Sequence, residues 1–290
     1  MNLSTVVTIG VFDGVHLGHQ QLIKKTVELA RQSGCLSTAF TFDPLPEEFF
    51  DHKTGIVLTL PDEKKQLLSR LGIDYIIMME FNHQVATLSK EEFVDKLLLL
   101  KPKAVVVGRD FRFGREASGD VEFLKKALNG KAEVYAEELY SINGQVVKSS
   151  VIRELLIQGR VYDANKLLGR RYFVSGEVVQ GKGIGKALLY PTANIKVDRR
   201  KLLPAPGVYS GFAELNFKKY VAAIVVSYDA YRERIVEAHL LNFSDNIYGE
   251  KLLLEFHEKV SDIGNFTRLE DLQLKIAADI EKVIKSIWLK

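Results

Sequence analysis

The chain has 290 residues, enough for two ordinary domains, and its 47% hydrophobic and 27% charged residues are typical of a soluble globular protein. Its formal net charge of +3 is too small to indicate a nucleic-acid partner, and no apolar run is long enough to span a membrane. The one cysteine, Cys35, excludes an intrachain disulfide and fits a reducing compartment, so we expect a cytoplasmic protein, of an oligomeric state that the sequence does not indicate.

The first half of the sequence alternates short apolar runs with amphipathic segments. The apolar runs predict strands at residues 6–9, 37–42, 75–79, 104–107 and 134–136. The amphipathic segments predict helices at residues 19–32, 61–71, 89–100 and 121–128, the third of them opened by a capping box at Ser89. Because helices separate successive strands, we expect an α/β domain with an open parallel sheet, whose ligands bind beyond the carboxyl ends of the strands.

The second half changes character near residue 170. A helix is predicted over residues 152–168 and a closing helix over residues 269–288. Between them, glycine, proline and asparagine turns separate short predicted strands at residues 173–179, 207–215, 220–227, 235–241 and 251–260. These features predict a small antiparallel β-barrel with a closing helix. We place the first domain at residues 1–162 and the second at residues 163–290.

Residues 10–19 link the first strand to the first helix. Two histidines in this segment, His16 and His19, are three residues apart, so they share a helix face close to unsatisfied backbone N–H groups. A helix N-terminus attracts anions, and glycines let the backbone approach a phosphate closely. We expect the two histidines to be catalytic in a nucleotidylyltransferase, with phosphate contacts from Gly10, Phe12, Asp13, Gly14 and Gly18. The alternative is a helix-capping turn with two surface histidines.

Two later segments of the first half carry residues suited to a nucleotide. The loop at residues 108–115 combines arginines, which pair with phosphates, and phenylalanines, which cover planar rings. The segment at residues 148–153 opens a helix, where Ser149, Ser150 and Arg153 can hold phosphates. The alternatives are a charged surface loop with a phenylalanine pair in the core, and an ordinary helix N-cap.

The second half holds its own set of polar residues. A basic, glycine-rich loop with predicted phosphate contacts begins at Gly181, Lys182 and Gly183. Strand alternation then puts Thr192 and Asn194 on one face, where their oxygen atoms can meet a Mg²⁺ ion. Glu237 shares a strand face with His239 and can take a proton from a substrate hydroxyl. The alternative is a buried glutamate with a purely structural role.

Motifs from both halves occur together in one known family. They lie at residues 10–19, 41–44, 107–114, 167–170, 191–194, 237–239 and 248–249. On these residues the chain resembles, over essentially its whole length, the prokaryotic bifunctional riboflavin kinase/FMN adenylyltransferase family, also called FAD synthetase. The resemblance implies an N-terminal module that transfers AMP from ATP to FMN, giving FAD, and a six-stranded flavokinase barrel that phosphorylates riboflavin to FMN. It also implies a need for Mg²⁺ in both reactions, and a flavin-side role for Asp110, Phe111 and Arg112.

The sequence departs from the pattern of this family at several positions. Leu45 stands where the family usually has a histidine, and Leu189 where it usually has a glycine. An arginine expected near Ser261 is absent, as is a Pro-Thr-Phe segment expected near residues 226–229. Most losses fall in the second half. Because Leu189 replaces a glycine that would ease the adjoining loop around a phosphate, we expect riboflavin phosphorylation to be detectable but slower than FAD formation. Two alternatives are an adenylyltransferase for another nucleotide-like acceptor and an FAD synthetase whose barrel only binds flavin.

Overall fold

The computed structural model describes residues 4–52, 54–180, 190–229, 233–264 and 266–288. The chain divides into two units, Met1–Ser149 and Ser150–Lys290. The domain boundary predicted after residue 162 falls within the helix Val161–Leu168, which lies wholly in the second unit.

A five-stranded parallel sheet with the strand order β3-β2-β1-β4-β5 forms the first unit, as predicted. Its strands are β1 (Thr5–Ile9), β2 (Leu36–Asp43), β3 (Tyr75–Glu80), β4 (Pro102–Gly108) and β5 (Glu133–Glu137). Its helices are α1 (Leu17–Ser33), α2 (Pro46–Asp51), α3 (Pro61–Arg70), α4 (His83–Ala86), α5 (Lys90–Leu98) and α6 (Val121–Ala127). The unit also contains a 3₁₀ turn (Arg115–Ala117) and a two-stranded ribbon of β6 (Ser141–Ile142) and β7 (Gln145–Val146).

Local signals account for the ends of two helices in this unit. Helix α1 ends where Gly34 takes a left-handed conformation with φ of 64°, which a glycine adopts without a steric penalty. Helix α5 begins with the predicted capping box. The Ser89 hydroxyl accepts a hydrogen bond from the backbone N–H of Glu92, and the Glu92 carboxylate accepts one from the N–H of Ser89 at 2.7 Å. This second hydrogen bond lowers the pKa of the Glu92 carboxyl.

The centre of the sheet brings distant segments of the chain together. Strand β1 lies between β2 and β4 and is buried on both faces, so its residues form a continuous apolar run rather than an alternating one. Val7 on β1 and Val105 on β4 are fully buried. Because β1 and β4 are parallel neighbours, the loops that follow them open at the same edge of the sheet.

Two helices, α7 (Ser149–Ile157) and α8 (Val161–Leu168), precede the barrel of the second unit. The single helix predicted over residues 152–168 is therefore wrong. Gly159, between the two helices, has a φ of 77°, a conformation that ends a helix and that is costly for residues with a β-carbon. The closing helix, α9 (Leu269–Trp288), is confirmed at its predicted bounds.

Six antiparallel strands close the barrel in the order β10-β11-β12-β9-β8-β13. They are β8 (Tyr172–Val179), β9 (Ala193–Val197), β10 (Gly207–Leu215), β11 (Lys218–Tyr228), β12 (Arg234–Leu240) and β13 (Lys251–Ser261). The antiparallel barrel predicted from the sequence is confirmed. Its interior is apolar, and Tyr209, Ala238 and Phe256 are among the fully buried side chains.

Two barrel strands approach each other closely at Gly211. A β-carbon at this position would lie 2.1 Å from the carbonyl oxygen of Glu255 on β13. We expect Gly211→Ala to lower the free energy of unfolding of the barrel by about 1–3 kcal/mol, because the backbone must shift to relieve the overlap. Thermal unfolding measures the loss. Gly249→Ala gives the comparison, since an alanine there has open space but is strained by a φ of 81°. A loss in Gly211→Ala no larger than the loss in Gly249→Ala would contradict the collision.

Candidate active sites

The predicted histidine pair sits at the N-terminus of α1. His16 is the N-cap of this helix, and its Nδ1 accepts a hydrogen bond of 3.3 Å from the backbone N–H of His19. The two imidazole rings stack with their centroids 3.6 Å apart and their planes 18° from parallel. His16 is only 5% exposed. The two side chains therefore form one rigid group beside the first backbone N–H groups of α1, where negative charge is favoured.

A cavity of about 240 Å³ opens against this histidine pair. It is lined by residues from all three segments of the first half that are predicted from the sequence to contact a nucleotide. Those from the first motif are Gly10, Phe12, His16, Gly18 and His19, and those from the two later segments are Gly108, Asp110, Phe111, Lys148 and Ser149. The ammonium of Lys148 lies 3.7 Å from a carboxylate oxygen of Asp110, so a cation and an acid face each other across this cavity.

Three more lining residues, Glu138, Leu139 and Tyr140, were not predicted. They follow the carboxyl end of β5, which is the neighbour of β4 in the sheet. The rule that places ligands at the carboxyl ends of parallel strands applies to them as well. The sequence signal was present, but it did not show that β5 lies next to β4.

Asp13 and Gly14, two predicted phosphate contacts, are turned away from the cavity. Asp13 is 1% exposed, and its carboxylate accepts hydrogen bonds from the backbone N–H groups of Leu58 (2.9 Å) and Thr59 (3.0 Å). The backbone N–H of Gly14 donates to the Thr59 hydroxyl at 2.9 Å. Both residues hold the loop after β1 against the segment at residues 58–59. They shape the site rather than line it.

We expect Asp13→Ala to impair the adenylyl transfer that the family resemblance implies, by loosening this loop. The substitution leaves two buried N–H groups without their acceptor, which costs about 1–3 kcal/mol for each group. Asp74→Ala is a matched control, because Asp74 accepts hydrogen bonds from Ser37 at the opposite edge of the same sheet. We expect both variants to unfold at lower temperature, and only Asp13→Ala to lower the turnover of the folded protein. Equal turnover losses would contradict a role for Asp13 in shaping the site.

A buried lysine that was not predicted from the sequence also holds the loop after β1. Lys64 on α3 is 1% exposed, and its ammonium donates to the carbonyl oxygens of Val11 (2.9 Å) and Phe42 (3.0 Å). The Thr41 hydroxyl donates to the same Val11 oxygen at 2.9 Å. A charged residue in an amphipathic helix ordinarily indicates a solvent-exposed position, so no local pattern marks Lys64 as a structural cation.

The loop after β4 divides between the cavity and the surface. Phe111 lines the cavity and stacks on Phe113, with ring centroids 5.4 Å apart. Arg112 is not among the lining residues of this cavity; it pairs with Asp120 at 3.5 Å on an exposed face. The pKa of the Asp120 carboxyl is lowered, chiefly by the hydrogen bond from the backbone N–H of Phe123 and to a smaller extent by the positive charge of Arg112. Of the three residues, Asp110 and Phe111 line the cavity and Arg112 does not. The flavin-side role of all three stays a prediction.

The three residues predicted at residues 149–153 fall on both sides of the unit boundary. The Ser149 hydroxyl lines the cavity and donates to the carbonyl oxygen of Asp13 at 2.8 Å. Ser150 and Arg153 belong to the second unit. Their phosphate contacts stay a prediction.

Four of the polar residues predicted for the barrel, Thr192, Asn194, Glu237 and His239, line one cavity of about 300 Å³. Asn194 on β9 is paired directly with Glu237 on β12 in the strand register. His239, two residues further along β12, lies in the same wall, and its Nδ1 is 2.9 Å from the carbonyl oxygen of Pro191. Thr192 precedes β9 and completes the polar group. The predicted shared faces of the two strands therefore converge on one place.

The remaining wall of this barrel cavity is largely apolar. Its aliphatic residues come from the barrel and from α9 and include Val208, Ala223, Val225, Leu272, Ile276 and Ile280. One side thus offers a carboxylate and an amide, and the other offers a hydrocarbon surface. Such a cavity suits a ligand with an extended apolar part and a hydroxyl group.

A second barrel cavity, of about 260 Å³, shares Thr192 with the first. The residues that line it include Pro191, Leu240 and the segment at residues 243–248. Apart from the family motif at residues 248–249, nothing in the sequence predicts this segment as part of a site. Its local signal is the short polar run Ser-Asp-Asn at residues 244–246 between two strands, which by itself predicts a loop.

The donors for a metal ion in the barrel are few. Gly181, Lys182, Gly183 and Leu189 lie outside the described residues. Within the described ranges there is no cluster of three or more His, Cys, Asp or Glu side chains that could hold a metal. The hydroxyl of Thr192 and the amide oxygen of Asn194 are ligands of the kind that Mg²⁺ accepts, and further oxygens from a bound nucleotide would have to complete its shell.

The two units together define a class of protein. The first has the parallel sheet and helix-terminal histidines of a nucleotidyltransferase, and the second is a barrel with a carboxylate in the wall of a largely apolar cavity, so the chain has the form of a two-site transferase. A family model described as FAD synthetase matches residues 1–151, and one described as Riboflavin kinase matches residues 168–287. The chain belongs to the bifunctional riboflavin kinase/FMN adenylyltransferase family, as the resemblance implied.

Similar proteins share nearly the whole chain. A protein of Buchnera aphidicola subsp. Schizaphis graminum named bifunctional riboflavin kinase/FMN adenylyltransferase is 34% identical, over 98% of this chain and 95% of its own length. A Bacillus subtilis protein of the same name is 30% identical, over 97% and 92%. A solved structure titled a macrolide-efflux protein, from Streptococcus pneumoniae, superposes with a TM-score of 0.88 at 29% identity, over 96% and 93%. Within the described part of this chain, no helix has the length and apolar character needed to cross a membrane.

Proposed function

We propose that the first unit transfers AMP from ATP to FMN, giving FAD and pyrophosphate, and that the barrel uses ATP to phosphorylate riboflavin to FMN. The observation that carries this proposal is the stacked pair of His16 and His19, which faces a cavity lined by both later nucleotide motifs. Membership of the family supports both activities. The product of the barrel reaction is the acceptor in the first unit, so the two reactions form a sequence.

In the adenylyl transfer, an oxygen of the FMN phosphate attacks the α-phosphorus of ATP. The bond from that phosphorus to the bridging oxygen breaks, and pyrophosphate leaves. Positioning and charge stabilisation dominate such a reaction. We assign His16 and His19 to the ATP phosphates, because α1 directs its first N–H groups to the same place. Lys148 and Ser149 are assigned to the phosphates as well, and Asp110 and Phe111 to the flavin.

In the kinase reaction, the oxygen of the terminal ribityl hydroxyl attacks the γ-phosphorus of ATP, and the Glu237 carboxylate accepts the proton of that hydroxyl. ADP is the leaving group. The aliphatic wall that includes Leu272 and Ile276 suits the apolar dimethylbenzene part of the riboflavin ring system. We place the nucleotide in the second barrel cavity, so that Thr192, which lines both cavities, lies between the two substrates. A Mg²⁺ ion held by Thr192, Asn194 and the ATP phosphates would neutralise charge on the transferred group.

Product analysis tests the proposal directly. Purified protein is incubated with Mg–ATP and either riboflavin or FMN, and the flavins are separated by chromatography. We expect FAD from FMN, and FMN followed by FAD from riboflavin, with neither reaction when EDTA replaces Mg²⁺. Adenylylation of another nucleotide-like acceptor in place of FMN would favour the first alternative. FAD from FMN with no phosphorylation of riboflavin would favour a barrel that only binds flavin.

A further inference from the structure

The family pattern leads us to expect an arginine near Ser261 at the end of β13, and this chain has none. The structure brings a different cation to the same place. The ammonium of Lys275 on α9 donates a hydrogen bond of 2.8 Å to the Ser261 hydroxyl and another to the carboxylate of Asp279. The Ser261 hydroxyl in turn donates to the other carboxylate oxygen of Asp279 at 2.8 Å.

These three side chains form a closed group between α9 and the barrel. Asp279 is 6% exposed, and Lys275 precedes it by one helical turn on the face of α9 that packs against β10 and β13. A buried carboxylate without a cation is strongly destabilising. The Lys275 ammonium supplies that cation, and the Ser261 hydroxyl links the pair to the strand.

Two members of this group lie in the wall of the cavity that Glu237 lines. Lys275 and Asp279 line this cavity together with the neighbouring α9 residues Leu272 and Ile276. The group is therefore a polar attachment point of the helix that otherwise presents a hydrocarbon surface to the cavity. The geometry of this group therefore fixes the position of the hydrocarbon surface of α9.

We propose that Lys275 is a positioning residue of the riboflavin kinase site. Its ammonium, which α9 carries, supplies the positive charge that the family pattern places on an arginine near residue 261. It pairs with Asp279 and fixes the apolar wall of α9 against riboflavin. This inference rests on the proposed kinase function. Lys275 takes no proton and stabilises no leaving group, so its loss acts on flavin binding rather than on the chemical step.

The test moves the positive charge from the helix to the strand. We expect Lys275→Gln to raise the KM for riboflavin on the order of tenfold while kcat changes less than about threefold, the pattern of lost binding in both ground and transition states. Ser261→Arg alone should also weaken binding, because two cations then compete for one carboxylate. The double variant Ser261→Arg/Lys275→Gln should return KM to near the original value. Quenching of riboflavin fluorescence gives the affinity without any turnover.

Lys282→Gln is the matched control. Lys282 also approaches the Asp279 carboxylate, at 3.8 Å, but its side chain is 53% exposed, so we expect no change in KM. FAD formation from FMN should be unaffected in every variant. If Lys275→Gln does not fold, recovery of folding and flavin binding in the double variant supports the proposal.

Two results would overturn the inference: an unchanged riboflavin affinity in Lys275→Gln, or a double variant as impaired as Lys275→Gln. A wild-type protein that binds riboflavin but makes no FMN would refute the kinase function alone, since the fluorescence measurements would still decide the role of Lys275. A wild-type protein that does not bind riboflavin would refute both.

Discussion

Replacing His19 by alanine is expected to lower the rate of FAD formation from FMN by roughly a hundredfold or more, the usual cost of removing one preorganised donor to transition-state charge. The rate is measured at saturating FMN and Mg–ATP by chromatography of the flavins. His83→Ala is the matched control, because His83 is exposed on α4 of the same unit and lies outside the cavity lining. Wild-type turnover in folded His19→Ala would refute the assignment of this loop as the catalytic centre.

The partner histidine needs a different substitution, because His16 also caps α1. Asparagine is a good N-cap residue and keeps the acceptor for the backbone N–H of His19. We expect His16→Asn to keep the thermal stability of the first unit and to lose FAD formation. A loss of stability alongside the activity would mean that capping, not the imidazole, explains the effect.

Replacing Glu237 by glutamine is expected to abolish riboflavin phosphorylation and to spare FAD formation from supplied FMN. Glutamine has nearly the same shape but cannot accept the substrate proton, and loss of a general base costs about 10²–10⁴ in rate. Both activities are assayed on one preparation, so each serves as the folding control for the other. Glu233→Gln is the matched variant, since Glu233 precedes β12 and forms an exposed ion pair with Arg199.

The outcome of this variant also decides whether the two activities have separate sites. The polar residues of the barrel cavity all belong to the second unit, and those lining the histidine cavity all belong to the first. A parallel loss of both reactions in folded Glu237→Gln would contradict the two-site assignment. Loss of both reactions in folded His19→Ala would also contradict the two-site assignment.

Local sequence patterns determined most of the fold. Apolar runs and turn residues predicted both the parallel sheet and the antiparallel barrel. Burial of one or both faces of an element imposes a periodic pattern of apolar residues, and that pattern is visible in consecutive residues of the sequence. The three-residue spacing of His16 and His19 likewise determined that their rings meet, since both lie within one helical turn. The short helices α2 and α4 and the ribbon of β6 and β7 were not predicted. The helix predicted at residues 152–168 was wrong, because Gly159 is compatible with a helix but ends it here.

The tertiary structure decided which polar groups face a substrate and which hold the scaffold. Asp13 accepts from N–H groups 45 and 46 residues away, and the Lys64 ammonium reaches a carbonyl 53 residues away. Nothing near either residue in the sequence distinguishes a ligand-binding charge from a structural one. The approach of Lys275 to Ser261 is of the same kind, because it depends on how α9 packs on the barrel. A hydrogen bond is specified by the positions of both partners, and packing of distant segments sets those positions.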